Sequence, residues 1–123
     1  MSKRATKALQ FDLQTRRKIF MRDHGQCIFC EAGFPVPDGE TFGRDIKDIM
    51  HYIPRSQRGL GIEQNGAVGC RYHHMKLDNG NDTTLREAML ATFREHLRRH
   101  YGEIDRKELT FSKWDDGAKK RLD

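Results

Sequence analysis

Long apolar runs are missing from this chain. None approaches the ~20 residues that a membrane-spanning helix needs, and Met1 to Gln10 lacks the apolar core of a secretory leader. The expectation is a soluble, cytoplasmic protein with no membrane partner. Cysteine is scarce and odd in number, with three among 123 residues. Three thiols cannot all pair within one chain, and Cys27 and Cys30 stand too close for a routine structural disulfide. That excludes a disulfide scaffold and points to metal binding in a reducing compartment. No internal repeat is present.

What is present is charge. Hydrophobic residues make up 36% and charged residues 33% of the chain; 23 Lys and Arg against 18 Asp and Glu leave +5. A basic excess favours a polyanionic partner, nucleic acid first. The length suits one domain, 1–123, with a core small enough to gain from a structural metal.

Taken in order, residues 5–23 read as an amphipathic helix. Leu9, Leu13 and Phe20 share a face, and Arg16, Arg17 and Lys18 turn outward. Packing is the plain reading of that helix, with phosphate contact by Arg16 and Arg17 as the alternative. Gly25 ends it beside Asp23 and His24. Residues 32–44 form a loop with a turn at Pro37-Asp38-Gly39, Phe34 and Phe42 covering the core. Ile46, Ile49, Tyr52 and Ile53 suit a strand that carries His51 near its end and stops at Pro54, which has no N–H for a ladder bond. Gly59-Leu60-Gly61 reads as a flexible turn, Gly66 to Val68 as a return strand, and Cys70 to Asp78 as a helix. A capping box at Thr84-Leu85-Arg86-Glu87 starts a last helix that runs to about Tyr101. Its stripe of Leu85, Met89, Phe93 and Leu97 is core, and Arg94, Arg98 and Arg99 face phosphate or water. His96 and His100 on the same helix read as packed or solvated. A second metal site is the alternative, with no third ligand evident nearby. Beyond Gly102, residues 105–114 form a short helix or an extended segment docking Phe111 and Trp114, closing a helical region 83–116; 115–123 is charged and loose.

Two ligand patterns stand out. Cys27-x-x-Cys30 lets two sulfurs face one ion, and Cys70-x-x-His73 repeats the interval; together they predict a Cys3His structural zinc site in a knuckle-and-core segment, 26–80. Four protein ligands leave no open position for water. His74 and Asp78 are four apart on a helix, point the same way, and could hold a second divalent ion.

His51 with Pro54 three later, Gly59 and Gly61, Asn65, then Cys70 with His73 and His74, preceded by Cys27-x-x-Cys30, resembles the HNH endonuclease family over roughly Cys27 to Asp78. His51, Asn65 and His74 match the three motif positions. The tail F-R-E-H-L-R-R-H-Y is similar to small phage-type members, more weakly. Met50 departs from the pattern: many members carry Asp, Glu or His there as a ligand. Asp48 is a substitute, but on a strand it shares a side with Met50, opposite His51. The resemblance implies an α+β fold: a small ββα-metal (His-Me finger) core with a Cys3His structural zinc site and flanking α-helices.

It also implies hydrolysis of DNA phosphodiester bonds, by nicking or double-strand cleavage. His51 is then the general base, and His74 and Asp78 hold a catalytic Mg²⁺, Mn²⁺, Ni²⁺ or Zn²⁺. Asn65 either hydrogen-bonds the loop carrying His51 or serves as a metal ligand. Arg55, Arg58 and Arg71 are candidate phosphate clamps, with Arg55 foremost. His73 and His74 are adjacent, so their zinc and catalytic roles could be exchanged. A monomer would nick, whereas a homodimer could break both strands. A phage packaging, restriction or homing role in a host cytoplasm is implied. The rival readings are a non-catalytic zinc-knuckle DNA-binding module and a structural zinc protein that binds another protein.

Overall fold

The structure, a computed structural model, describes residues 2–112; Trp114 and the tail 115–123 lie outside the described residues. It is α+β, with one two-stranded antiparallel sheet and helices around it. No helix among the described residues is long and apolar enough to cross a membrane.

The N-terminal segment is two helices rather than the single one expected over 5–23. Helix α1 spans Lys3–Leu9 and α2 spans Leu13–Arg22. The break falls where Asp12 caps α2, its carboxylate accepting the Thr15 N–H at 2.8 Å. The break also resets the buried face. Ile19 is fully buried, while Leu13 and Phe20, expected to pack, are 63% and 47% exposed. The carbonyls freed at the end of α1 find partners elsewhere: Ala8 accepts from the Gly61 N–H, and Leu9 from His51.

Helix α3, Ile28–Glu31, is one turn capped by Cys27, whose sulfur accepts the Cys30 N–H. A short α4, Thr41–Asp45, occupies part of the stretch expected to be loop. Phe34 packs against the core, but Phe42 is 78% exposed and covers nothing.

Strand β1 (Lys47–His51) pairs with β2 (Gly66–Cys70), Lys47 opposite Cys70 and His51 opposite Gly66. β1 stops at His51, before Ile53, and β2 continues to Cys70. Cys70 then caps α5, Arg71–Asn79. The segment 59–61 is not a flexible turn. Gly59 and Gly61 are buried, and a Cβ on either would strike backbone, at the Ile53 carbonyl and at Gln10 respectively. Gly59 bridges to Thr110, so the chain between the short turns at Arg55–Gln57 and Glu63–Asn65 is pinned to the last described segment.

Helix α6 runs Thr83–Tyr101. Asp82, not Thr84, is its cap, accepting the Leu85 N–H at 3.0 Å. Met89, Phe93 and Leu97 enter the main core with Phe29, Met50, Leu77 and Ala67. A smaller core joins Ala5 and Leu9 of α1 to Leu60 and Phe111. A buried polar tie centres on Asp23. Asp23 accepts from Arg22 (2.7 and 2.9 Å), His96 (2.8 Å) and the Val68 N–H (2.9 Å), and Arg22 donates onward to the Glu63 and Gly66 carbonyls. The tie fixes α2 to β2 and α6.

Candidate functional site

Two groups of side chains meet at α5, one around His73 and one around His74. The first gathers Cys27 and Cys30 from α3 with Cys70 and His73 from the β2–α5 junction, their ligand atoms all within 4.8 Å of one another. His73 Nδ1 lies 3.7, 3.5 and 3.3 Å from the sulfurs of Cys27, Cys30 and Cys70, and the Cys30 and Cys70 sulfurs are 3.9 Å apart. A tetrahedral zinc ion, about 2.3 Å from sulfur and about 2.0 Å from nitrogen, sets ligand separations of roughly 3.5–3.8 Å. The donor set fits. His73 Nε2 donates to the Pro35 carbonyl at 3.1 Å, which leaves Nδ1 to bind. Thiol ionisation tells the same story. Burial opposes a thiolate at Cys27, but the His73 ring and the backbone N–H groups around its sulfur outweigh it and lower that thiol to about 6. Burial and the neighbouring Cys27 push Cys30 up to about 12, and burial also raises Cys70. Three sulfurs this close cannot all be negative without a cation among them, and a bound cation deprotonates its thiols. The group could hold a structural zinc ion.

Placement separates His73 from His74. His73 is buried among the thiols, and His74 turns to the other side. There it lies between two carboxylates: Nδ1 is 3.0 Å from Asp48 Oδ2, and Nε2 is 3.0 Å from Asp78 Oδ2. The hydrogen bond to Asp78 raises its pKa, burial opposes, and Asp48 adds to the rise. Asp48 itself, despite its burial, is held below the usual carboxylate value by Arg71 and His74. An octahedral ion about 2.0–2.1 Å from each ligand separates neighbouring ligands by about 3 Å. His74 Nε2 and Asp78 Oδ2 stand at that spacing, which is also that of a hydrogen bond, and Asp48 fixes the ring from its far nitrogen. Asp48 does share a face with Met50, as strand alternation requires, yet α5 crosses that face and brings His74 to it. As its place opposite His51 on the strand implies, Asp48 does not line the cleft beside His51; it meets His74 at the ring's other nitrogen. Met50 is fully buried in the core and does not reach the cleft.

His51 ends β1 and lines a cleft of about 620 Å³ together with His74, Asp78, Arg55, Arg16 and Arg86. Its Nε2–H donates to the Leu9 carbonyl at 2.7 Å, so the Nδ1 lone pair is the one left over. Phe11 lies against the ring, centroids 4.2 Å apart. Burial pushes this imidazole below its ordinary value, the Leu9 carbonyl opposes, and Arg55 pushes the same way as burial. The neutral form is favoured.

Asn65 is 0% exposed and faces the loop, not the cleft. Its Oδ1 accepts the Ile53 N–H at 2.8 Å; its Nδ2 donates to the carbonyls of Ile53 (3.1 Å) and Leu60 (2.8 Å). It holds the segment that follows His51, and the metal-ligand alternative is set aside because its oxygen is already engaged. Among the proposed phosphate clamps, Arg58 is turned to the Phe111 carbonyl at 3.1 Å and Arg71 to Asp48 at 2.9 Å. Arg55 alone of the three lines the cleft. Arg86, at the start of α6, also lines it, and no sequence signal marked it; only the packing of α6 against α5 brings it there. A third cluster, Asp23, His96 and His100, could also hold a metal.

Comparison with known proteins assigns the chain to no family: no protein-family model, no curated protein and no solved structure matches it.

Proposed function

We propose that the chain is a metal-dependent endonuclease of the HNH type, with a ββα-metal core formed by β1, β2 and α5, and that it hydrolyses DNA phosphodiester bonds. The observation that carries the reading is the shared cleft. An imidazole with a free Nδ1, a His-carboxylate pair with cis-ligand spacing, and Arg55 all border one space.

His51 takes a proton from the attacking water on Nδ1, while the Leu9 carbonyl keeps the other ring nitrogen protonated and the ring fixed. General-base assistance of this kind is worth ~10²–10⁴-fold. Water adds to phosphorus and the bond to the 3′ oxygen breaks, leaving a 5′-phosphate and a 3′-hydroxyl. A divalent ion held by His74 and Asp78 would supply charge neutralisation at the phosphate and the 3′ leaving oxygen. Asp48 orients His74, and Arg55 and Arg16 draw the backbone into the cleft. Zinc at the Cys3His group would join α3 to the start of α5 and so set the height of His74. DNA is the partner that the +5 charge and the arginine-lined cleft favour.

The test is a supercoiled-plasmid assay of zinc-loaded protein across Mg²⁺, Mn²⁺, Ni²⁺ and Zn²⁺, with analysis of the cut ends. Nicked or linear product bearing 5′-phosphate and 3′-hydroxyl ends is expected. Binding to DNA without cleavage in any of these ions would replace the nuclease by a zinc-knuckle DNA-binding module.

A further inference from the structure

The polar tie at the end of α2 opens to solvent on one side, and two imidazoles stand there. His96 and His100 are one turn apart on α6, ring centroids 4.9 Å apart at 65°. The third ligand that the local sequence does not offer comes from α2, 73 residues earlier than His96. Asp23 Oδ1 lies 2.8 Å from His96 Nε2. One ligand atom from each of Asp23, His96 and His100 falls within 4.8 Å of the other two.

We propose that Asp23, His96 and His100 form a second protein metal site, separate from both the thiolate group and the cleft, for a borderline divalent ion such as Ni²⁺, Zn²⁺ or Cu²⁺. Two imidazoles and one carboxylate suit that class and disfavour Mg²⁺ or Ca²⁺, which prefer all-oxygen shells. The arrangement is graded as a ligand set should be. The Asp23 side chain is 1% exposed and locked by Arg22 and Val68, so its position is set before any ion arrives. His96 is held by Asp23 at 12% exposure. His100 is exposed, its ring beside those of His96 and Tyr101. An adjoining cavity of about 610 Å³, bordered by His24, Glu31, Thr92 and Arg99, leaves room for water to complete the shell.

The ion replaces the hydrogen shared by His96 Nε2 and Asp23 Oδ1. Asp23 keeps its other contacts, including both from Arg22. That arginine and Arg99 make the neighbourhood positive, so this site binds more weakly than the three thiols. Its consequence is mechanical. An ion here fastens α6 to the end of α2, and through Arg22 to the Glu63 and Gly66 carbonyls where β2 begins. It also predicts that metal titrations of this protein count one more ion than the cleft and the thiols explain.

The experiment uses tag-free, zinc-loaded protein carrying His74→Ala, which removes the cleft's imidazole, titrated with Ni²⁺ by calorimetry while zinc content is monitored. One Ni²⁺ per chain is expected with zinc retained, together with a rise in thermal midpoint. His74→Ala/His100→Gln, altered at an exposed position, should keep its circular dichroism spectrum and lose that equivalent; His74→Ala/His96→Gln should lose it too. No Ni²⁺ uptake by His74→Ala, or uptake unchanged by His100→Gln, would overturn the site. Because the cleft is disabled in every arm, neither result depends on whether the chain cuts DNA.

Discussion

Replacing Asn65 by Ala removes the amide that holds the chain immediately after His51. Three hydrogen bonds go at once, at 2.8, 3.1 and 2.8 Å, all inside a fully buried pocket. A buried polar group left without a partner costs about 1–3 kcal/mol. The Ile53 N–H loses its acceptor, and the Ile53 and Leu60 carbonyls each lose a donor. Carbonyls tolerate the loss better than an N–H does, and water entering the void recovers part of it. The sum is a loss of about 3–5 kcal/mol, above the ~1 kcal/mol of an average substitution. Urea melts of zinc-loaded protein at constant m-value measure it. Asn65→Asp extends the argument. Its second oxygen would face two carbonyls, so the folded state raises that carboxyl's pKa. The added penalty is absent where both states are protonated, below about 3.9, and grows as pH rises above it. A loss below about 1 kcal/mol in the Ala variant, or a stability gap between wild type and Asn65→Asp that narrows from pH 4 to 7, would refute the assignment of Asn65 as the loop's tie.

Other expectations follow from the same geometry. Asp48→Asn should weaken the cleft's Mn²⁺ dependence about 10–100-fold, the usual cost of losing a partner behind a ligating histidine, with zinc content unchanged. Cleavage rate against Mn²⁺ concentration measures it. Burial holds His51 below its ordinary value of 6.5, so the unfolded chain takes up that proton first. The stability due to neutral His51 is present above 6.5 and falls as pH drops from there through the folded value. The stability gap between wild type and His51→Gln should therefore narrow on acidification, read by melts at pH 7.5 and 5.5; widening would contradict it. His74 runs the other way: its hydrogen bond to Asp78 raises it, so that stabilisation is complete below 6.5 and is lost as pH rises through the folded value. Bound metal must displace that proton, so metal affinity at the cleft should increase with pH over the same window. Stripping zinc with a chelator should unfold the α3–β2–α5 junction, seen as lost helical circular dichroism. Cys70→Ser should be the harshest single thiol change, because Cys70 is both a donor of the group and the cap of α5.

Much of this site could be read from spacing. Cysteine and histidine at matching x-x intervals, and His74 four before Asp78, are local patterns that a helix turns directly into shared faces. The stripe of α6 is legible for the same reason. What spacing could not carry was relation between elements. Leu9, Leu13 and Phe20 fit one continuous helix as well as two; the capping power of Asp12, a short-range signal, outweighed the longer apolar period. Strand alternation placed Asp48 correctly beside Met50, but only the path of α5 across that face turns Asp48 into a partner of His74. Arg58 and Arg71 read as candidate phosphate clamps, but the groups they meet, the Phe111 carbonyl and Asp48, are 53 and 23 residues away. Asp23 as a companion to His96 was hidden by 73 residues of separation.

The central claim is that His51, pinned through Nε2 and open at Nδ1, removes the proton from the attacking water. The most direct measurement compares plasmid cleavage by wild type and His51→Ala, both zinc-loaded and of matched circular dichroism, at saturating Mn²⁺. A rate lower by about 10²–10⁴-fold, with bound zinc unchanged, is the predicted result. Cleavage by His51→Ala at the wild-type rate would contradict it.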